Sequence, residues 1–228
     1  MADEPIGGVE GRGGLGRGIL HGVSLSPFVR KVRAVLHLKS IDYEIVNVMP
    51  GGMDSEFLKK SPLSKIPVWE EEGWTLPDSS AICAYLERTK PEPAVYPSDP
   101  REFARALFWE EYADTRLNES ASPVFFQRVV HGKFFKQPVD EEIVRRHLDE
   151  VLPSVFDQLE ELFVGSVDAG QLTVAAISVW SFFVNLDHAE CPLDPKAWPG
   201  LASFLETMGQ NEVLHALVEE ERAAMASV

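Results

Sequence analysis

Ser26 stands directly before Pro27, and Phe28, Val32, Val35 and Leu36 follow at helical spacing. Serine is a good N-cap and proline suits the first helical position, so a helix starts here. Free backbone N–H groups and the positive dipole end make such a start favourable to an anion. A thiol placed there ionises below its free pKa of about 8.5. Taken alone, Ser26 is equally well explained as a cap and nothing more. Ser24 is a rival hydroxyl two residues earlier, but only loop residues surround it.

Two further segments carry comparable groups. In Ser64-Lys65-Ile66-Pro67-Val68 a proline opens a run that reads as a strand, where it removes a ladder donor. A cis Ile66–Pro67 bond would account for it and would present the Ile66 backbone to a peptide ligand in strand fashion; an ordinary trans proline at a strand start is the alternative. In Leu76-Pro77-Asp78-Ser79-Ser80 a second helix start presents an acid and hydroxyls. Amides and the Ser79 hydroxyl suit a carboxylate and Asp78 suits an ammonium, the two ends of an amino acid, although capping alone also explains both residues.

The elements that must position these groups alternate in type. Ile19-Leu20-His21 reads as a strand, Ser26–Leu36 as a helix, and Tyr43–Val48 as a strand on its aromatic and β-branched content. Gly51-Gly52 turns into a short helix around Phe57-Leu58. Val68-Trp69 and Trp74–Leu76 flank the acidic stretch 70–73 as a hairpin, and Asp78-Ser79 caps a helix from Ser80 to about Arg88. The order is β-α-β-α-β-β-α.

Four prolines in 91–100 mark a linker, and everything beyond reads as helix. The candidates are 101–117, 141–164 with a kink or split at Pro153, an almost wholly apolar central helix from Thr173 to Asp187, and shorter helices at 198–208 and 211–225. The fold class is therefore α/β plus all-α: a small N-terminal α/β domain (19–90), a linker (91–100) and an all-helical C-terminal domain (101–228).

Residues 1–18 contain seven glycines and read as a flexible tail. Its Gly11-Arg12-Gly13-Gly14-Leu15-Gly16 matches G-x-G-x-x-G but precedes the first strand, so it lacks the context of a dinucleotide site.

The net charge of −15 is concentrated in residues 98–228, which hold 10 Lys/Arg against 23 Asp/Glu. Such an acidic half without a basic patch argues against nucleic acid and anionic membranes as partners. No run approaches the roughly 20 apolar residues of a membrane helix, and the Gly-rich start is not a secretory signal, so a cytoplasmic location is expected. Two cysteines, Cys83 in an apolar run and Cys191, form neither a C-x-x-C pair nor a disulfide framework. No metal is expected. Asp187-His188-Ala189-Glu190-Cys191 groups ligand types, but a solvated helix end explains it better, and Glu219-Glu220-Glu221 likewise reads as a solvated face. Trp109, Tyr112, Phe125 and Phe126 suit the lining of an electrophile pocket, but aromatics at helical spacing are more often core, and they are left out of the site.

Together the segments resemble the glutathione transferase superfamily, in its bacterial-type form with serine at the thiol site. The resemblance rests on the Ser26-Pro27-Phe28 turn, Lys65-Ile66-Pro67-Val68, the Asp78-Ser79 helix start with Ala81-Ile82, and the helical pieces Glu110–Asp114 and Asp157–Leu162. It covers residues 19 to about 210 and implies a thioredoxin-like first domain. It further implies that Ser26 donates a hydrogen bond to the glutathione thiolate, that Ile66 beside a cis Pro67 bonds the cysteinyl backbone, that Asp78 and Ser79 hold the γ-glutamyl end, and that Lys65 reaches the glycine carboxylate. Glutathione would be the co-substrate, a hydrophobic electrophile the second substrate, and a homodimer the assembly. Three positions depart from the family pattern. Thr173-Val174-Ala175-Ala176 keeps the cap of the central helix but lacks the usual acid, Ser64 stands where glycine is common, and Asp78 replaces the commoner glutamate.

Two function classes follow. A glutathione-using enzyme needs Ser26 and the γ-glutamyl motif, and both are present. A non-catalytic scaffold on the same fold is the alternative, suggested by the acidic helical half and the tail. A thiol–disulfide reductase fits poorly, because position 26 is serine and no other cysteine lies near it.

Overall fold

The computed structural model describes residues 18–49, 51–167 and 170–227. The tail and its glycine motif lie outside the described residues, except for Gly18. That residue belongs to β1 (Gly18–His21) rather than to the tail. It has to be glycine: a Cβ there would lie 2.0 Å from the fully buried indole of Trp69.

Four strands form one sheet in the order β2-β1-β3-β4. β2 (Tyr43–Val46) runs parallel to β1, whereas β3 (Val68–Glu71) and β4 (Trp74–Pro77) are antiparallel additions. The hairpin turn is shorter than the sequence suggests. Glu70 and Glu71 are strand residues, and the reversal is made by Glu72 and Gly73 alone, with φ of 48° and 79°. Such two-residue turns with both φ positive match the twist of the flanking strands. α1 (Pro27–Leu38), α2 (Ser55–Lys60) and α3 (Ser79–Thr89) complete a thioredoxin-like domain.

The second half is helical. The helix that begins as α4 (Pro100–Tyr112) does not end near 117. It continues through a π-type turn (Ala113–Leu117), α5 (Asn118–Phe125) and a second π-type stretch (Phe126–Phe134). The expected end at 117 falls where Asn118, Ser120, Ser122 and Pro123 have low helix propensity, yet the buried Ala121, Val124 and Phe125 hold the helix by packing. α6 (Glu141–Arg146) and α7 (Leu152–Gln158) are joined by a π-type turn (His147–Val151) just before Pro153, whose missing N–H accounts for the local change of register.

α8 (Val174–His188) is the central helix, with only Asp187 outside its buried set. Thr173 Oγ1 accepts from the Ala176 N–H at 3.3 Å, so the cap forms without the acid. α9 (Pro199–Gly209) and α10 (Glu212–Ala226) close the domain.

Buried charge joins the two halves. Arg30 in α1 donates from Nε and Nη2 to the Glu221 carboxylate in α10 at 2.6 to 3.1 Å, from Nη2 to Asn185 Oδ1 at 2.9 Å and from Nη1 to the Ser181 carbonyl at 2.5 Å. His188 Nε2 meets the same carboxylate at 2.8 Å. Glu221 is therefore completely buried and His188 nearly so, which corrects the reading of both as solvated. Glu219 and Glu220 do face outward, pairing with Arg222 and Arg33. The linker is tied down by the buried Lys39, whose ammonium donates to the carbonyls of Lys90, Pro91 and Pro93 and pairs with Glu87 at 2.6 Å.

Candidate active site

Strand register brings the three sequence-chosen segments to one end of the sheet. His21 at the end of β1 lies opposite Val68 at the start of β3, and Val68 lies opposite Pro77 at the end of β4. The loop to Ser26 leaves from His21, Ile66-Pro67 enters at Val68, and Asp78-Ser79 leaves from Pro77. Gly22 shows how close the first two come: a Cβ on it would sit 2.5 Å from Val29 Cγ2 and 3.6 Å from Ile66 Cβ.

Ser26 is half-buried, and its N–H donates to the Val23 carbonyl at 3.0 Å, closing a turn around Ser24 and Leu25. Its Oγ accepts from the Val29 N–H at a long 3.4 Å, while its carbonyl accepts from the Arg30 N–H at 2.8 Å. Accepting through oxygen leaves the hydroxyl proton free to donate outward. Ser24 sits in the turn and caps nothing.

Ile66–Pro67 is cis, as is Glu92–Pro93. Ile66 is buried, yet neither its N–H nor its C=O is hydrogen-bonded to another group among the described residues. Buried backbone groups are nearly always paired, so this pair is suited to a ligand backbone. Lys65 has an exposed side chain and a fixed backbone, because Ser61 Oγ accepts from the Lys65 N–H at 3.0 Å and donates to the Lys65 carbonyl at 2.7 Å. Ser64 precedes it at φ 54°, which explains why glycine is common there.

Asp78 caps α3 through Oδ1, which accepts from the Ala81 N–H at 2.9 Å. Its φ of 83° is an outlier for a non-glycine residue, of the kind held at functional sites by surrounding structure. Ser79 is 3% exposed, and its hydroxyl has no protein partner among the described residues.

Sequence reasoning missed what lies behind this helix start. Lys31 in α1 donates from Nζ to Ser80 Oγ at 3.2 Å, Glu110 Oε1 at 3.0 Å and Asp114 Oδ2 at 2.7 Å. Ser80 donates to Asp114 Oδ2 at 3.2 Å, and Tyr96 from the linker donates to Glu110 Oε2 at 3.4 Å. Burial opposes the charge on Lys31, but Asp114 and Glu110 outweigh it and hold the ammonium above its ordinary value. Burial raises the Asp114 carboxyl, and Lys31 only partly offsets that. The i, i+4 spacing of Glu110 and Asp114 was the available signal.

At the sheet end, Lys60 and His21 bond Glu70 Oε2 at 2.5 and 2.7 Å and hold its carboxyl below the usual range. Of the aromatics assigned to the core, Trp109 and Phe125 are buried, Tyr112 is half-buried, and Phe126 is exposed.

A separate cavity of about 420 Å³ opens among α8, α9 and α10, lined by Trp180, Phe183 and Leu205, and shares no residue with the Ser26 site. Asp187 on its wall is already paired with Arg222 at 2.9 Å. Among the described residues no group of His, Cys, Asp and Glu is placed to hold a metal, and no helix is long and apolar enough to cross a membrane.

The fold is a thioredoxin-like domain followed by a helical domain, with a capping serine, a cis proline and an acid–serine helix start at one sheet end. Residues 20–94 match the family described as glutathione S-transferase, N-terminal domain. A probable glutathione S-transferase, GSTU6, of Oryza sativa subsp. japonica is 35% identical over 212 residues, covering 89% of this chain and 88% of that protein. A glutathione S-transferase of Pseudomonas putida is 28% identical over 213 residues, covering 90% and 93%. Among solved structures, a glutathione S-transferase from Rhodospirillum rubrum F11 superposes with a TM-score of 0.77 at 24% identity, over 88% of this chain and 91% of that one. Glutathione S-transferase-I bound with lactoylglutathione superposes with a TM-score of 0.77 at 21% identity, over 90% and 99%. The chain belongs to the glutathione S-transferase family.

Proposed function

We propose that this chain is a glutathione transferase that binds glutathione at the sheet end, activates its thiolate beside Ser26 and directs it at a hydrophobic electrophile. The observation that carries this reading is the strand register that gathers Ser26, Ile66-Pro67 and Asp78-Ser79 at one edge. The unpaired Ile66 N–H and C=O suit the cysteinyl backbone of glutathione. The γ-glutamyl carboxylate goes to the α3 N-terminus and the Ser79 hydroxyl, and its ammonium goes to Asp78. Lys65, exposed and fixed at its backbone, reaches the glycine carboxylate.

On binding, the thiol proton leaves to solvent and the sulfur keeps its electron pair. The Ser26 O–H donates to the thiolate, and the α1 N-terminus adds its dipole. Ser26 forms no covalent bond. The thiolate attacks the electrophilic carbon, an S–C bond forms, and the electron pair moves onto the leaving group or the adjacent acceptor atom. Lowering the thiol pKa by two units requires about 2.7 kcal/mol, within reach of one charge-assisted hydrogen bond plus a helix end.

The domain bounds of 19–90 and 101–228 joined by the linker 91–100, a homodimeric assembly and a cytoplasmic location belong to the same proposal. Calorimetry with glutathione, paired with turnover of an electrophile panel, tests it. Wild type is expected to bind and conjugate; Ser26→Ala is expected to bind comparably and lose most turnover. Absence of glutathione binding to wild type overturns the reading.

A further inference from the structure

We infer that Glu221, in the last helix, is a positioning residue for the thiolate site, acting through Arg30 to fix the first turn of α1 and with it Ser26. The inference rests on the thiolate role of Ser26 proposed above. Arg30 lies one helical turn beyond Ser26 and its N–H bonds the Ser26 carbonyl at 2.8 Å. The guanidinium has three anchors outside its own helix: the Glu221 carboxylate, Asn185 Oδ1 and the Ser181 carbonyl. Only Glu221 is charged, and it takes the planar fork at two oxygens, the geometry that fixes both distance and plane.

Two residues earlier, Phe28 meets Phe182 of α8 edge-on, with ring centroids 5.6 Å apart. The start of α1 is thus held on α8 by an aromatic contact and on α10 by an ion pair. Among the described residues, the groups bonded to the Glu221 carboxylate are Arg30 from α1 and His188 from α8. Arg30 and Glu221 side chains are both 0% exposed, so water cannot substitute for either partner.

A cap that stabilises a thiolate must hold its O–H within a few tenths of an ångström of its productive hydrogen-bonding position, and among the described residues Ser26 makes one long side-chain bond of its own. Its position therefore depends on the turn that Arg30 anchors. Ile66, Asp78 and Ser79 belong to other elements, so a loosened α1 start would spare glutathione affinity and impair thiol ionisation.

Glu221→Gln keeps the shape and removes the charge, and ultraviolet titration of bound glutathione reads thiolate formation directly. The expected result is a bound-thiol pKa raised by about one unit, a tenfold loss of thiolate at a given lower pH. KM for glutathione should stay within about threefold while kcat falls. In the ligand-free variant, amide exchange at Val29 and Arg30 should accelerate. If Glu221→Gln does not fold, Arg30→Met with Glu221→Leu replaces the pair by apolar groups, a change that often preserves stability. That double variant should fold and still show the raised thiol pKa and faster exchange. A folded variant with wild-type thiol titration and wild-type exchange overturns the inference. Failure of wild type to bind glutathione would instead overturn the functional reading, and the exchange measurement would still decide the positioning.

Discussion

Replacing Lys31 by methionine removes the cation that, among the described residues, serves a buried cluster tying α1 to α3, the linker and α4. Its side chain is 1% exposed, and Glu110 and Asp114 both lie within 3.0 Å of the ammonium. Methionine matches the stem but leaves two carboxylates facing a dry site, the situation in which breaking a buried pair costs about 3–5 kcal/mol. With an unfolding entropy of about 2.1 cal/mol/K per residue, a chain of 228 residues loses roughly 6–10 °C in melting temperature.

The deficit must depend on pH. Asp114 already titrates above its unfolded value because of burial, so its ionised form costs stability at neutral pH, and that cost fades as pH falls through its folded pKa. Without Lys31 the Asp114 carboxyl is pushed higher still, so the gap between variant and wild type should narrow from neutral pH toward the ordinary carboxylate range. Thermal unfolding followed by circular dichroism at several pH values measures both quantities. A variant that melts within about 2 °C of wild type, or a gap that stays constant with pH, refutes the assignment of Lys31 as the neutralising centre.

Ser64→Gly relieves a positive φ and should stabilise the chain by about 0.5–1 kcal/mol in urea titrations, with glutathione affinity unchanged. Burial pushes the Cys83 thiol far above its ordinary value, while Cys191 is only partly buried and is raised less. Iodoacetamide on the native protein should therefore label Cys191 first and leave Cys83 intact until unfolding, as read by peptide mass spectrometry.

Most of the candidate site was legible as local structure, because its parts are local. Ser26-Pro27, Ile66-Pro67 and Asp78-Ser79 each announce a cap or a strand start from residue type alone, and their order fixes the sheet that assembles them. The helical half was less legible. The expected helix end at 117 falls where propensity from Asn118 to Pro123 opposes helix, and tertiary packing of Ala121, Val124 and Phe125 overrides it. Glu70 and Glu71 look like turn residues, yet Tyr85 and Trp69 bind Glu71, and Lys60 and His21 bind Glu70. Glu221 was read as solvated for a related reason. Nothing local distinguishes it from Glu219 and Glu220; its partner Arg30 lies 191 residues away in the chain. Long-range pairing of buried charge leaves little periodic trace, whereas caps and turns do.

The central claim is that Ser26 steadies the thiolate of bound glutathione. Ultraviolet titration of glutathione on wild type and Ser26→Ala tests it most directly. A bound-thiol pKa well below the free value of about 8.5 in wild type, returning most of the way toward it in Ser26→Ala with affinity largely kept, is the predicted result. Equal thiol pKa values in the two proteins would contradict it.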